Sequence, residues 1–187
     1  MHMKFEIFYI YFFYSKFLLS YMTLNTDSHL PMHPNLKIQN LKQFPDYIPQ
    51  LAKWHENEWG HYYPDQSLED REAMMRFYLY ESLIPSTYIA LDGEYLLGSA
   101  AIIESDMPEK PNLSPWLASV FVRPEARNQG VASRLVRHIC SQAKIEGIAK
   151  LYLFTANQQG FYHKLGWQVL SHETYADELV TVMELVL

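Results

Sequence analysis

The stretch VFVRPEARNQGVASRLVRHI, residues 120–139, runs from a short apolar strand through a charged turn into a helix that begins at Gly130. The first N–H groups of a helix have no partner inside the helix, and the helix dipole adds partial positive charge at the same end. Gly130 and Ala132 are small, so an anion can approach the backbone closely, and Arg127 places a permanent charge beside it. This turn is therefore a candidate site for a phosphate group.

A glycine between a strand and a helix does not by itself require a ligand. Ordinary strand-to-helix connections often contain one, and the turn considered alone favours this simpler interpretation. Two better-known phosphate motifs are excluded, because no Gly-Lys-Ser/Thr of a Walker loop follows and the Gly-x-Gly-x-x-Gly pattern of dinucleotide-binding proteins is missing. The assignment of the turn therefore depends on the rest of the chain.

Length, charge and cysteine content narrow the class of protein. The chain has 187 residues, enough for one ordinary domain with a full core. Its formal charge of −6 gives no general reason to bind nucleic acid or an anionic membrane surface, so neither is expected as a partner. Cys140 is the only cysteine, and it lies among apolar residues of an amphipathic helix. We therefore expect Cys140 to be a core residue and the protein to reside in a reducing compartment, the cytoplasm.

The first 21 residues differ in composition from those that follow. They are rich in Phe and Tyr, but Glu6 and Lys16 interrupt them, whereas a membrane span needs roughly 20 predominantly apolar residues. A signal peptide is also disfavoured, because no small-residue cleavage pattern follows. We expect residues 1–21 to form an apolar extension outside the functional domain. The alternative is an extra amphipathic helix packed on that domain.

From residue 36 onward, strand-like and helix-like segments alternate in the order β-α-α-β-β-β-α-β-α-β-β. This order predicts an α/β (α+β) fold: one domain over residues 36–187 with a mixed central β-sheet flanked by helices. Asp92-Gly93 marks a hairpin, and Ser67 is a typical helix cap. The last segment, LVTVMELVL, is expected to be an unpaired terminal strand through which two copies could form a homodimer.

Two segments in this order resemble a known family. The first is an Arg-x-x-Gly-x-Ala pattern in the turn, formed by Arg127, Gly130 and Ala132. The second is an FYxKLGW pattern within residues 151–170, LYLFTANQQGFYHKLGWQVL. Both are similar to motifs of the GNAT superfamily of acyl-CoA-dependent N-acetyltransferases, and the resemblance covers residues 36–187. Two motifs at the expected interval are far more specific than one, and they favour a ligand site at the turn.

The resemblance implies acetyl-CoA as the acyl donor and a set of residues that hold it. The backbone of Phe121 and Val122 would pair with the pantetheine arm like an added strand. Asn157 would contact the same arm. Asn128 stands where the family often has Gly, and since Asn tolerates unusual backbone angles, binding is expected to survive. The diphosphate would be held beside Arg127 by the amides of Asn128, Gln129, Gly130, Val131, Ala132 and Ser133.

The implied reaction is direct transfer of the acetyl group, within a ternary complex, to a primary amine of a small molecule or peptide. It needs a base or a water relay for the amine, stabilisation of the oxyanion and an acid for the departing thiolate. Tyr162 is the candidate acid, since a phenol donates a proton near neutral pH, although its side chain could instead be core packing. The base is Glu104, Asp106, His172 or a chain of water molecules, and we place Glu104 in the catalytic set beside Tyr162.

A histidine-rich segment has a simpler interpretation than a metal site. His55, Glu58 and His61 are three residues apart and turn progressively round a helix, unlike the i, i+4 pair of a zinc helix, so no metal is expected. With Tyr62 and Tyr63, these residues are expected to border the cleft for the acceptor.

Two alternatives to acetyl transfer stay open on the same fold. One is transfer of a longer acyl group from its CoA thioester. The other is a non-catalytic module that binds CoA or a protein partner and has lost acyl transfer. Release of free thiol from acetyl-CoA in the presence of amines distinguishes an enzyme from such a module.

Overall fold

The computed structural model describes residues 33–80 and 83–187, and the predicted extension over residues 1–21 lies outside them. Seven strands form one sheet in the order β1-β2-β3-β4-β5-β7-β6, and helices cover both of its faces. The predicted α/β fold with a mixed sheet is therefore confirmed. No helix in the described part of the chain is long and apolar enough to cross a membrane.

The elements also follow the predicted order along the chain. Ser67 caps the second helix in a reciprocal capping box with Asp70, as expected for a serine before an acidic first turn. The strands are β1 Leu36–Asn40, β2 Ser86–Asp92, β3 Tyr95–Ile103, β4 Trp116–Val122, β5 Lys150–Thr155, β6 Gln168–Tyr175 and β7 Glu178–Val186. The helices are α1 Ile48–Trp59, α2 Leu68–Phe77, α3 Val131–Ile145 and α4 Gln159–Lys164, with 3₁₀ turns at Leu41–Gln43, Pro45–Tyr47, Gly60–Tyr62 and Pro124–Ala126.

The sheet is split near its centre. Neighbouring strands are antiparallel except β4 and β5, which are parallel and meet at a single residue pair, Trp116 with Tyr152. By contrast, β5 pairs with β7 along its whole length. Beyond the Trp116–Tyr152 pair the two parallel strands diverge, so backbone groups that β4 turns toward β5 have no neighbouring strand. An opening therefore runs into the sheet from the carboxyl ends of β4 and β5.

The prediction that the last strand is an unpaired edge is wrong. β7 lies between β5 and β6, and Met183 faces Leu153 on one side and Val169 on the other. The edges of the sheet are β1 and β6. Hydrophobic alternation identifies β7 as a strand, but the same alternation occurs in interior and edge strands. A homodimer built on a free edge of β7 is therefore ruled out.

Alternation along the strands divides the core between the two faces of the sheet. On one face, α3 packs a stripe of buried residues at helical spacing against the strands. On the other face, α1 and α2 cover β2 and β3. The α3 stripe consists of Val131, Leu135, Val136, Ile139 and Ala143. The core on the opposite face is formed by Ile48, Leu51, Ala52 and Met75 of the two helices and by Ile89, Leu91 and Leu96 of the strands. A third, smaller cluster of Met107, Trp116, Val180 and Val182 lies beside the split.

A β-bulge bends β4 where it runs along β3. The pairing shifts between Ser99 and Ala101, and Ser119 on β4 has a positive φ of 50°. Gly98 allows the two strands to approach closely, because a Cβ at this position would lie 2.3 Å from the carbonyl oxygen of Phe121. The bulge and Gly98 therefore set the direction in which β4 enters the split.

Gly98→Ala is expected to destabilise the fold, because the added methyl group meets backbone rather than a movable side chain. Overpacking of this kind costs about 1–3 kcal/mol, which the midpoint of urea unfolding will measure. Gly160→Ala is the control, since a Cβ there would have nothing within 4 Å and alanine favours the helix. Equal midpoints for the two variants would show that β3 and β4 are not locked at Gly98.

Candidate functional site

The opening in the sheet receives the main chain of β4 at Val122. The N–H of Arg123 donates to the carbonyl of Leu97 at 2.9 Å, so strand alternation turns the N–H and C=O of Val122 to the opposite side, toward the opening. The carbonyl of Phe121 lies instead against Gly98 of β3. Of the two strand residues in the predicted site, Val122 therefore offers its N–H to a ligand in the split, whereas its C=O accepts from Arg127 and Phe121 faces β3.

The turn that follows β4 presents a row of N–H groups. Gly130 has a φ of 81° and Asn128 a φ of 61°, in the left-handed region that Gly and Asn tolerate best. Within the described residues, the N–H groups of residues 128–133 have no backbone acceptor, and the first bond of α3 runs from Arg134 N to Gly130 O at 3.1 Å. A Cβ on Gly130 would meet nothing within 4 Å. The row can therefore donate to an anion that approaches from open space.

Arg127, the predicted charge beside this row, has protein partners of its own. Its Nε donates to the carbonyl of Val122 at 2.9 Å, and its guanidinium lies 3.6 Å from the carboxylate of Glu58. Both side chains of this ion pair are close to half exposed, so water screens their attraction. Arg127 therefore ties the turn to the end of β4 and to α1 while it contributes positive charge at the same place.

Asn157 lies just past the end of β5, on the other side of the split. Its side chain is exposed, and its Oδ1 accepts from Gln158 Nε2 at 2.9 Å. The N–H of Gln158 donates to Thr155 Oγ1 at 3.0 Å, which fixes the backbone of this turn. The amide nitrogen of Asn157 has no hydrogen-bond partner among residues 33–80 and 83–187, so it can donate to a ligand.

Tyr162, on α4, combines a packed ring with an unpartnered hydroxyl. Its ring lies 4.9 Å from that of Phe161 and 6.1 Å from that of Trp167 between centroids, and the residue is 8% exposed. No described residue accepts a hydrogen bond from its hydroxyl. Burial raises the pKa of this phenol, and the carboxylate of Asp106 raises it further. Tyr162 therefore keeps its proton at neutral pH and has it available to donate.

Among the three candidate bases, exposure and hydrogen bonding favour Asp106. Glu104 is exposed, and nothing in the described part of the chain bonds to its carboxylate. His172 bonds to Thr181 at 3.2 Å, and alternation along β6 puts it on the opposite face of the sheet from Tyr175. Asp106 is partly buried, and loss of water contact raises its pKa to about 7. A carboxyl group with that pKa can exchange a proton near neutral pH.

Tyrosines from four separate elements lie within reach of the charge of Asp106. Burial raises the pKa of each of these phenols, and the negative charge of Asp106 raises it further. Tyr175 and Tyr78 are members that sequence reasoning missed, since they are far apart in the chain and share no motif. The four are Tyr63 after α1, Tyr78 at the end of α2, Tyr162 on α4 and Tyr175 on β6.

The prediction that His55 borders the acceptor cleft is wrong. His55 is 3% exposed, and its Nε2 lies 2.9 Å from Ser99 Oγ on β3. Burial, with a further effect of the Arg71 guanidinium, lowers its pKa to about 3, so the ring is neutral. The helical turn that buries Leu51 and Ala52 also carries His55 into the interior. His55 therefore positions α1 on the sheet.

The other residues of the histidine-rich segment point in different directions. Glu58 pairs with Arg127, and the ring of His61 lies 4.1 Å from that of Tyr62. Within the described residues, no group of three or more His, Cys, Asp or Glu side chains could hold a metal ion. Cys140 packs partly buried against the α3 core, and burial raises its pKa to about 11, which disfavours a nucleophilic thiolate.

Three of the solved structures that share this fold are acetyltransferases. An acetyltransferase from Streptococcus agalactiae is 18% identical with a TM-score of 0.61, covering 82% of this chain and 99% of that one. An N-acetyltransferase from Staphylococcus aureus is 18% identical with a TM-score of 0.64, and the match covers 81% of this chain and 98% of that one. An aminoglycoside 6'-N-acetyltransferase complexed with coenzyme A is 20% identical with a TM-score of 0.62, and the match covers 80% of this chain and 96% of that one. At these identities the likeness establishes the fold alone, and no curated protein matches the sequence significantly.

A family model supplies the evidence that low identity to solved structures does not. The model of the acetyltransferase (GNAT) family matches residues 48–167, more than half of the chain. The matched region runs from α1 through the split and the turn at Gly130 to Tyr162 and Trp167. The resemblance carried by the two sequence motifs is confirmed: this chain belongs to the GNAT acetyltransferase family, whose acyl donor is acetyl-CoA.

Proposed function

We propose that this protein transfers the acetyl group of acetyl-CoA directly to a primary amine of a small molecule or peptide, with donor and acceptor bound together. The observation that carries the proposal is the row of N–H groups at residues 128–133, which has no backbone acceptor among the described residues and lies beside the split. A row of this kind at the start of a helix is suited to a diphosphate.

The residues around the split fit the donor. The turn and the α3 dipole offer hydrogen-bond donors and positive potential to a diphosphate. The N–H of Val122 at the end of β4 and the side-chain amide of Asn157 just past β5 flank the opening, where they would hold the amide groups of the pantetheine arm. When bound, acetyl-CoA supplies an acyl group activated as a thioester.

Tyr162 would supply the proton that the departing thiolate needs. Its ring is fixed by Phe161 and Trp167, so its hydroxyl is held in one place before the donor binds. Its raised pKa keeps the phenol protonated at neutral pH. A fixed proton donor beside the leaving group is a general acid.

Asp106 would take the proton from the attacking amine, directly or through a water molecule. Its pKa of about 7 leaves a substantial deprotonated fraction at neutral pH. The surrounding phenols have raised pKa values and do not titrate in this range. Glu109 also acts on Tyr175 and contributes negative charge at the edge of this site.

The two alternative functions have less support from these contacts. A non-catalytic module that only binds CoA would need neither an unpartnered phenol at Tyr162 nor an unpartnered carboxylate at Asp106. Transfer of a longer acyl group would use the same turn and the same acid. Thiol release with acetyl-CoA and with longer acyl-CoA esters, over a panel of amines, separates these three functions.

Gly130→Val should weaken CoA binding about tenfold or more, because a β-branched residue resists the left-handed conformation that holds the N–H row. Isothermal titration with CoA measures the change. Gly147→Val is the matched control: Gly147 also has positive φ and open space around it, but it follows the other end of α3. A wild-type protein without affinity for CoA, or two variants that bind CoA equally well, would contradict the assignment of the turn.

Tyr162→Phe should lower kcat by about 100-fold, because the ring still packs but the proton donor is lost. The affinity for CoA should stay the same, since the hydroxyl is not part of the turn. Tyr152→Phe, on β5 at the Trp116 pair, removes a hydroxyl outside the proposed chemistry and serves as control. An unchanged kcat for Tyr162→Phe would remove this assignment.

Asp106→Asn should lower kcat/KM by about 100-fold and change its dependence on pH. In the wild type, kcat/KM should rise as pH increases through about 7, because the carboxylate accepts a proton only after it has lost its own. The variant should lose this rise when the same amine is used. Glu104→Gln should keep both the rate and the rise, and loss of activity in Glu104→Gln instead would identify Glu104 as the base.

A further inference from the structure

Asp106 is a carboxylate without a partner among the described residues. No described residue forms a hydrogen bond or an ion pair with it, although other acids nearby are paired: Glu173 with Lys110, and Glu56 with Arg71. Removing a carboxylate from water without a compensating partner is unfavourable. The group is only partly buried, so a ligand can reach it. A cationic ligand is the partner that such a carboxylate lacks.

The walls beside Asp106 are aromatic. Tyr62, Phe154 and Tyr175 come from three separate elements, and their ring centroids lie 5.2–6.4 Å apart. All three side chains are partly exposed. Met107, the residue after Asp106, is 2% exposed and belongs to the cluster against which Phe154 and Tyr175 pack. The loop after β3 therefore holds Asp106 next to these rings.

Two further tyrosines, one after α1 and one after α2, lie within reach of the same charge. The charge of Asp106 reaches Tyr63 and Tyr78, and both of these side chains are partly exposed. The guanidinium of Arg71 lies 5.9 Å from the ring of Tyr63, but it is buried and paired with Glu56. Within the described residues, no Lys or Arg side chain pairs with Asp106, so an arriving cation meets no competitor for it.

We propose that Asp106 and the aromatic rings around it bind an acceptor with a single ammonium group on a flat, apolar body, the chemical class of the arylalkylamines. The carboxylate pairs with the ammonium group, and the tyrosine and phenylalanine rings contact both the cation and the apolar body. This inference rests on the proposed acetyl transfer and specifies its acceptor.

Polycationic and peptide acceptors fit these contacts less well. Other acids at the edge of the site, Glu109 and Glu178, are exposed, so solvent and salt screen their attraction for a second ammonium group. Glu178 already accepts a hydrogen bond from Tyr62. A peptide would bring backbone N–H and C=O groups against a largely aromatic wall, which offers them few partners.

The test measures binding separately from turnover. Phenylethylamine, butylamine, spermidine and triglycine are titrated into the full chain saturated with CoA, and heats of binding are recorded. Phenylethylamine should bind about tenfold more tightly than the other three, because only its ring gains the aromatic contacts. Equal or tighter binding of butylamine, spermidine or triglycine would overturn the inference, as would a lack of binding by every amine.

Variants of one ring test where the preference originates. Tyr175→Leu should reduce the preference for phenylethylamine over butylamine to about threefold or less, whereas Tyr175→Phe should retain it. Tyr95→Leu makes the same change at a residue that is 74% exposed at the start of β3, and it should have no effect. Phe154→Leu provides a second test if Tyr175→Leu does not fold. An unaltered preference in folded Tyr175→Leu or Phe154→Leu would contradict the aromatic site.

Thiol release on the same amines separates this inference from the proposed function. Binding of phenylethylamine without acetylation would leave the amine site standing and remove the acetyl transfer reaction. Acetylation that is faster with spermidine or triglycine would leave the reaction standing and remove the arylalkylamine acceptor. Asp106→Asn should weaken phenylethylamine binding about tenfold while CoA still binds, since the ammonium group loses its partner.

Discussion

The structure depends on one incomplete strand pairing. β4 and β5 meet only at Trp116 and Tyr152 and then diverge, whereas every other neighbouring pair in the sheet forms a longer ladder. The divergence leaves the N–H of Val122 without a strand partner in a place where a ligand with amide groups can replace the strand. The bulge at Ser119 and the close approach at Gly98 fix the path of β4 into this split.

The two sides of the split differ in the physical means by which they would bind a ligand. The turn at Gly130 relies on backbone N–H groups and a helix dipole, and the charge of Arg127 beside it is shared with Glu58. The acceptor side relies on aromatic rings around one carboxylate. An anionic donor and a cationic acceptor would thus be separated by chemistry as well as by position, which suits a reaction that brings them together at the split.

Burial and charge act together on the groups proposed for proton transfer. Partial burial raises the pKa of Asp106 to about 7, and burial together with the charge of that carboxylate raises the pKa of Tyr162. The first effect favours a group that can accept a proton at neutral pH, and the second favours a group that retains one. The proposed roles of proton acceptor for Asp106 and proton donor for Tyr162 therefore follow from a shared environment, because a carboxyl group has a low intrinsic pKa and a phenol a high one.

The sequence by itself determined the order of the elements, the Ser67 cap, the turn around Gly130 and the place of Tyr162, because these depend on periodicity and motifs that are local in the chain. Only the tertiary structure decided the interior position of β7, the burial of His55 and the ring of tyrosines around Asp106. Alternating hydrophobicity is the same in an edge strand and an interior strand. Tyr63, Tyr78 and Tyr175 share no sequence spacing, and they come within reach of the charge of Asp106 only because the folded sheet and its helices bring distant segments together.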